Sequence, residues 1–148
     1  MPTKTTLALF SLVLGAAALT LGATVGAPSP APSPAPSPSR LGVLWTSGDR
    51  EVALNVAFMY THNAKARGWF DEVTLIVWGP SARLLAEDEE LQARVREMED
   101  AGVALVACKA CADGYGVSGT LESLGIEVKY MGVPLTEMLK GDWEIVSF

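Results

Sequence analysis

The stretch Glu72–Trp78 reads EVTLIVW and is followed directly by Gly79 and Pro80. Its apolar residues run on without the polar alternation of a half-exposed strand, so the pattern predicts a strand that is buried on both faces. Glycine and proline then end the strand, because both interrupt regular structure. A strand of this kind is typical of a parallel sheet that is covered by helices on both sides.

Four further apolar runs flank this stretch and are also predicted strands: 41–46 (LGVLWT), 103–107 (VALVA), 126–130 (IEVKY) and 143–148 (WEIVSF). The segments between them have helical character: 50–67, 81–101 as one short and one longer helix, 110–124 as a broken helical segment, and 134–140, which begins with proline. Strands that alternate with helices predict an α/β fold, here a three-layer α/β/α sandwich around a mostly parallel five-stranded sheet.

The first 40 residues differ in composition from the rest of the chain. Seven of the nine prolines lie before residue 40, whereas all four Trp, all three Tyr, both Cys and the only His lie after it. Residues 7–27 carry no charge, and PSPAPSPAPSPSR follows at 28–40. We therefore expect 1–27 to be a signal peptide or an uncleaved membrane anchor, 28–40 a disordered Pro/Ala/Ser-rich linker, and 41–148 one α/β domain. Both readings of the leader predict an exported protein, periplasmic or extracellular, and the second predicts that residues 7–27 anchor it in the membrane.

The charge of the domain argues against a nucleic-acid partner. Of the 11 basic residues in the chain, Lys4 and Arg40 precede the domain, which leaves nine basic against 17 acidic residues and a net charge of −8. A protein that binds through phosphate neutralisation needs the opposite balance. No Gly-rich phosphate loop follows any predicted strand, and we predict no cofactor.

Ligands of parallel α/β sheets bind outside the carboxyl ends of the strands, which groups residues that are distant in the sequence. The candidates for this rim are Trp45, Ser47, Asp49, Trp78, Lys109, Asp113 and Met131. The two Trp residues lie at strand ends, where they could line a pocket, and Lys109 could favour a neighbouring thiolate. Asp49 and Asp113 could position a substrate, although loop aspartates commonly cap helices or turns.

Cys108 and Cys111 form a C-x-x-C motif (CKAC) where the third strand gives way to a helix. A thiol at the start of a helix faces unpaired backbone N–H groups, which favour the reactive thiolate. Cys108 is therefore the candidate nucleophile and Cys111, about one turn later, the candidate resolving thiol. A structural disulfide is an alternative in an oxidising compartment. A zinc site is weakly supported, because His62 is the only histidine and tetrahedral zinc needs four ligands.

The string CKACADGYGV, residues 108–117, resembles the cysteine loop of the DsrE/DsrF-like family, in which a Cys after the third strand is followed eight and nine residues later by Gly-Val. Gly116 and Val117 fill these two places. The segments VLWTSGDREVALNVAFMY, WGPSARLL and IEVKYMG fit the same layout, so the resemblance covers essentially 41–148.

This resemblance implies a DsrE-like three-layer α/β fold, assembly into trimers or hexamers, and a cysteine that carries sulfur as a persulfide between a donor and an acceptor protein. By this match Cys108 is the carrier position. Cys111 has no counterpart in the simplest form of the pattern, and the export leader is a second departure from the cytoplasmic relay members. The first hypothesis is thus an exported sulfur carrier or thiol-disulfide exchange protein. The second is a non-catalytic ligand-binding or assembly module stapled by a Cys108–Cys111 disulfide.

Overall fold

The computed structural model describes residues 37–148. The predicted signal peptide or anchor, 1–27, and the predicted linker up to residue 36 lie outside the described residues. The first strand begins at Arg40, and the backbone N–H and hydroxyl of Ser39 both donate to the Asp71 carboxylate at 2.8 Å. The ordered domain therefore extends slightly before Leu41. Within 37–148, no helix combines the length and the apolar character that a bilayer crossing requires.

The described part of the chain contains five strands and eight helical segments, close to the predicted ranges. They are β1 (Arg40–Trp45), α1 (Arg50–Val52), a π-helical segment (Ala53–Phe58), α2 (Met59–Ala66), β2 (Glu72–Val77), α3 (Pro80–Glu87), α4 (Glu89–Asp100), β3 (Ala104–Cys108), α5 (Lys109–Tyr115), α6 (Ser118–Ser123), β4 (Glu127–Lys129), α7 (Gly132–Lys140) and β5 (Trp143–Ser147). The helix predicted over 50–67 thus changes its winding in the middle, a feature that apolar spacing does not reveal.

The five strands form one sheet in the order β4-β3-β2-β1-β5, and every neighbouring pair within it is parallel. The predicted α/β fold with a five-stranded sheet is confirmed. β2 lies near the centre, and five of its six residues are buried, as its unbroken apolar run predicts.

The two faces of the sheet are covered unequally. Successive strand residues point to opposite faces, so Val43 and Leu75 join the main core while Ile76 and Val106 join a smaller second cluster. The main core also takes residues from the π-helical segment and from α2 to α6, whereas the helical cover of the second cluster comes chiefly from α7.

The strand order explains this inequality. From β1 to β4 the chain steps across the sheet in one direction, so right-handed crossovers place all the intervening helices on one face. The crossover from β4 to β5 returns in the other direction, past β3, β2 and β1, and its helix α7 must therefore lie on the opposite face.

Candidate functional site

The carboxyl ends of β3 and β4 form the topological switch point of the sheet. The two strands are neighbours, with Cys108 paired in register to Lys129. The chain leaves β3 through α5 towards the main-core face and leaves β4 through α7 towards the other face. Because the two connections part in opposite directions, these strand ends correspond to the crevice at which parallel α/β proteins bind ligands.

Cys108 lies at this crevice but is almost completely buried. It is the last residue of β3, its side chain is 4% exposed, and it packs with Ile76, Val106 and Met131 in the second cluster. It is also the N-cap residue of α5, where the sequence places it, although its side chain caps no backbone N–H.

Cys111 lies in α5 beside Cys108 and is partly exposed. The two residues belong to the same cluster, and both are free thiols. Burial raises the pKa of the Cys111 thiol most, and hydrogen bonding with the Cys108 thiol raises this pKa further. The structure thus brings the predicted pair together as two interacting thiols.

Gly79, which the sequence predicts only as the end of a strand, also contributes to the site. Its backbone N–H donates a hydrogen bond to the Cys111 sulfur, and this bond lowers the pKa of Cys111 against the two raising effects. The residue adopts a φ of 73°, in a region that favours glycine, and it is the N-cap residue of α3. The Gly79-Pro80 pair was the signal that could have located this turn.

Two of the predicted rim residues join the thiols. Trp78 is partly buried and packs against the second cluster, and Met131 is 2% exposed within it. Trp78 follows β2 and Met131 follows β4, so they flank the crevice from its two sides. The structure thus brings together residues from the ends of β2, β3 and β4.

The three predicted rim residues at the end of β1 and in the turn after it do not join the thiols. Trp45 is fully buried in the main core, on the other face of the sheet, with its ring edge-on to Phe58 at 4.8 Å between centroids. The Ser47 hydroxyl accepts from the backbone N–H of Asp49. Asp49 is the N-cap of α1, accepting from the backbone N–H groups of Glu51 and Val52. Both polar residues thus shape the turn after β1.

Lys109 and Asp113 neutralise each other on the surface of α5. The Lys109 Nζ lies 3.0 Å from the Asp113 carboxylate, which raises the pKa of Lys109. A hydrogen bond from the Ser118 hydroxyl, followed by the contact with Lys109, lowers the pKa of Asp113. The Lys109 ammonium is therefore paired with a carboxylate one turn along the helix.

Gly116 and Val117 separate α5 from α6. Gly116 has a φ of 70° and ends α5 as a left-handed cap, with its N–H bonded to Ala112 and Asp113 carbonyls. Val117 is the N-cap residue of α6 and packs, partly buried, on the main core. The Gly-Val element of the motif thus fixes the position of the short helix that carries Cys111.

A cavity of about 410 Å³ lies away from the thiols, between the π-helical segment, α2 and α4. It is lined by residues that include Phe58, His62, Arg94 and Met98, two of which belong to the main core. Within 37–148, no three His, Cys, Asp or Glu side chains gather as metal ligands would.

The chain is similar to a protein family and to solved structures. The DsrE/DsrF-like family profile matches residues 46–148. Among solved structures, a conserved protein of unknown function from Bacteroides thetaiotaomicron is 39% identical, with a TM-score of 0.72, over 74% of this chain and 95% of that chain. The ychN protein from E. coli is 16% identical, with a TM-score of 0.57, over 76% of this chain and 100% of that one, and supports the fold alone. No curated protein matches this chain.

Proposed function

This chain belongs to the DsrE/DsrF-like family, and from that premise we propose that it handles sulfur on the Cys108–Cys111 thiol pair. The activity is either persulfide carriage between proteins or thiol-disulfide exchange. The observation that carries the proposal is the presence of two free, contacting thiols at the switch point of the sheet. Family resemblance supports Cys108 as the carrier position, and the spacing of Cys111, about one turn later, makes it the candidate for the thiol that resolves the adduct.

Ordinary thiol chemistry accounts for both activities. One thiolate attacks a sulfane sulfur or a disulfide, a covalent sulfur adduct forms, and the second thiol releases it as an intramolecular disulfide. Trp78 and Met131 enclose the adduct with apolar surface. In this scheme Lys109 does not stabilise the thiolate, because its ammonium is paired with Asp113 on the helix surface.

The test is intact-protein mass spectrometry of the fully reduced chain after incubation with inorganic polysulfide. We expect either an adduct of about 32 Da that a thiol reductant removes or a disulfide about 2 Da lighter than the dithiol. A double variant, Cys108→Ala with Cys111→Ala, is the control and should do neither. If the wild type behaves like this control, the proposal that the chain handles sulfur is wrong. The alternative, a binding module with a structural Cys108–Cys111 disulfide, is then favoured.

We also propose that the chain assembles with copies of itself through the α7 face, as trimers or hexamers. Three large apolar side chains are exposed there: Tyr130 at 67%, Val133 at 69% and Leu139 at 62%. Large apolar side chains that are exposed on and beside one helix favour burial against a partner. Val133→Glu should reduce the native mass to that of the monomer, whereas Met59→Glu, at a comparably exposed position on the other face, should not. A wild type that is monomeric in native mass spectrometry would contradict this proposal.

The sulfur donor and acceptor are proposed to be proteins, and the site of action a compartment outside the cytoplasm. Support for export comes from the uncharged stretch at 7–27 and the proline-rich segment after it. Cell fractionation with N-terminal sequencing of the mature chain tests this proposal. Recovery of a chain with Met1 in the cytoplasm would contradict it.

A further inference from the structure

We propose that Cys111 is the thiol that meets the sulfur donor and that Cys108 is the buried thiol that resolves the adduct. This order deepens the proposed function and rests on it. It reverses the roles that the sequence predicts for the two cysteines, because it is inferred from the surroundings of the two sulfur atoms in this chain.

Access separates the two thiols. Attack on a sulfane sulfur needs a thiolate that the donor can approach along its breaking bond. Cys108 is 4% exposed and packs in the second cluster with Val106 and Met131, so a donor would have to displace part of that cluster to reach it. Cys111, three residues later in α5, is partly exposed.

One contact of Cys111 favours its charged form. The Gly79 N–H donates to its sulfur, and this backbone donor opposes the burial and the Cys108 contact that raise the pKa of Cys111. The donor is fixed in place, because Gly79 has a φ of 73° and its carbonyl accepts from the Ala82 N–H at 3.0 Å in the first turn of α3.

The reaction then has two balanced steps. The Cys111 thiolate attacks the sulfane sulfur of a persulfide donor, the donor's S–S bond breaks, and the donor leaves as a thiolate while Cys111 becomes a persulfide. The Cys108 thiolate then attacks the Cys111 Sγ, the bond to the outer sulfur breaks, and hydrosulfide leaves with the electron pair. Two thiols are oxidised to a disulfide and one sulfane sulfur is reduced, and a low-molecular-weight thiol restores the dithiol.

The basicity of Cys111 favours this outcome of the second step. Burial and the Cys108 thiol raise the pKa of Cys111, which makes its thiolate a poor leaving group. Hydrosulfide, the conjugate base of the more acidic hydrogen sulfide, leaves in its place. The adduct is therefore resolved as a disulfide and is not passed on to Cys108 as a second persulfide.

Single variants of the reduced full chain test this order, with inorganic polysulfide as the probe and intact mass as the readout. Cys108→Ala removes the resolving thiol and should trap a reducible adduct of about 32 Da on Cys111. Cys111→Ala should gain the adduct at least about tenfold more slowly, since only the buried thiol remains. Wild type should close to the disulfide and release hydrosulfide.

A second measurement on the wild type guards against variants that fail to fold. Iodoacetamide is added to the reduced native chain, and fragmentation of the labelled peptide assigns the modified sulfur. Cys111 should be labelled at least about tenfold faster than Cys108. Faster labelling of Cys108, or an adduct trapped by Cys111→Ala and absent from Cys108→Ala, overturns the order and leaves the proposed function intact. If neither an adduct nor a disulfide forms in the wild type or in either variant, both the order of the thiols and the proposed function are overturned.

Discussion

The two faces of the sheet differ in how they are built and in what they carry. The main core fills the face covered by the π-helical segment and α2 to α6, and it includes the fully buried Trp45, Leu75 and Leu91. The second cluster has four buried members, two of which, Cys108 and Met131, belong to the candidate site. Helix α7, which covers it, contains no buried residue.

This difference indicates that stability and chemistry are separated by the sheet. Free energy of unfolding scales with buried apolar area, and most of that area lies on the main-core face. The face that is covered chiefly by α7, called the thin face below, keeps the thiols near the surface, where a donor can reach one of them.

Leucine truncations on the two faces should have the most unequal effects. Leu75→Ala opens a cavity in the main core at a fully buried position and should lower the free energy of unfolding by about 3 kcal/mol. Leu135→Ala, on the partly buried side of α7, should lower it by about 1 kcal/mol. Urea denaturation measures both. Equal losses would mean that the thin face stabilises the fold as much as the main core does.

Alanine at two glycines tests how closely α7 and β5 pack on the thin face. A Cβ on Gly42 would lie 2.5 Å from Ile145 Cδ1 and 3.0 Å from Met138 Cε, so Gly42→Ala should cost about 1 kcal/mol. Gly119→Ala, in helix α6, meets nothing within 4 Å and should stabilise by about 0.5 kcal/mol. Changes of the same sign in thermal unfolding would contradict the close packing over Gly42.

The pH dependence of labelling tests the coupling of the thiols. Hydrogen bonding and charge from Cys108 help to raise the pKa of Cys111, so Cys108→Ala should move the alkylation midpoint of Cys111 to lower pH. Because the folded pKa is raised, the protonated thiol stabilises the fold, and this contribution is lost as pH rises through the raised pKa. A midpoint that is unchanged in Cys108→Ala would show that the thiols are independent.

The smallest effect is expected at Lys109. Its ammonium is bound to Asp113 and exposed to solvent, so Lys109→Gln should change the alkylation rate of Cys111 by less than about threefold. Stopped-flow labelling at fixed ionic strength measures the rate. A tenfold fall would instead assign Lys109 to the thiolate, as the sequence suggested.

The sequence predicts the fold well because its signals are local. The unbroken apolar run at 72–78 and the alternation of strands and helices fix the parallel sheet. Adjacent strand ends also bring together Trp78, Cys108 and Met131. Trp45 lies at a strand end too, but its side chain points to the main-core face, and neither this direction nor the Gly79 contact to Cys111 can be read from spacing along the chain.

The reduction potential of the Cys108–Cys111 couple tests the central claim most directly. The full chain is equilibrated in glutathione buffers, and the fraction of disulfide is measured by mass spectrometry after acid quenching. A reactive pair should have a potential between about −270 and −120 mV, the range of thiol-disulfide catalysts. A potential below about −300 mV, the range of structural disulfides in secreted proteins, would identify the pair as a structural disulfide and contradict the account.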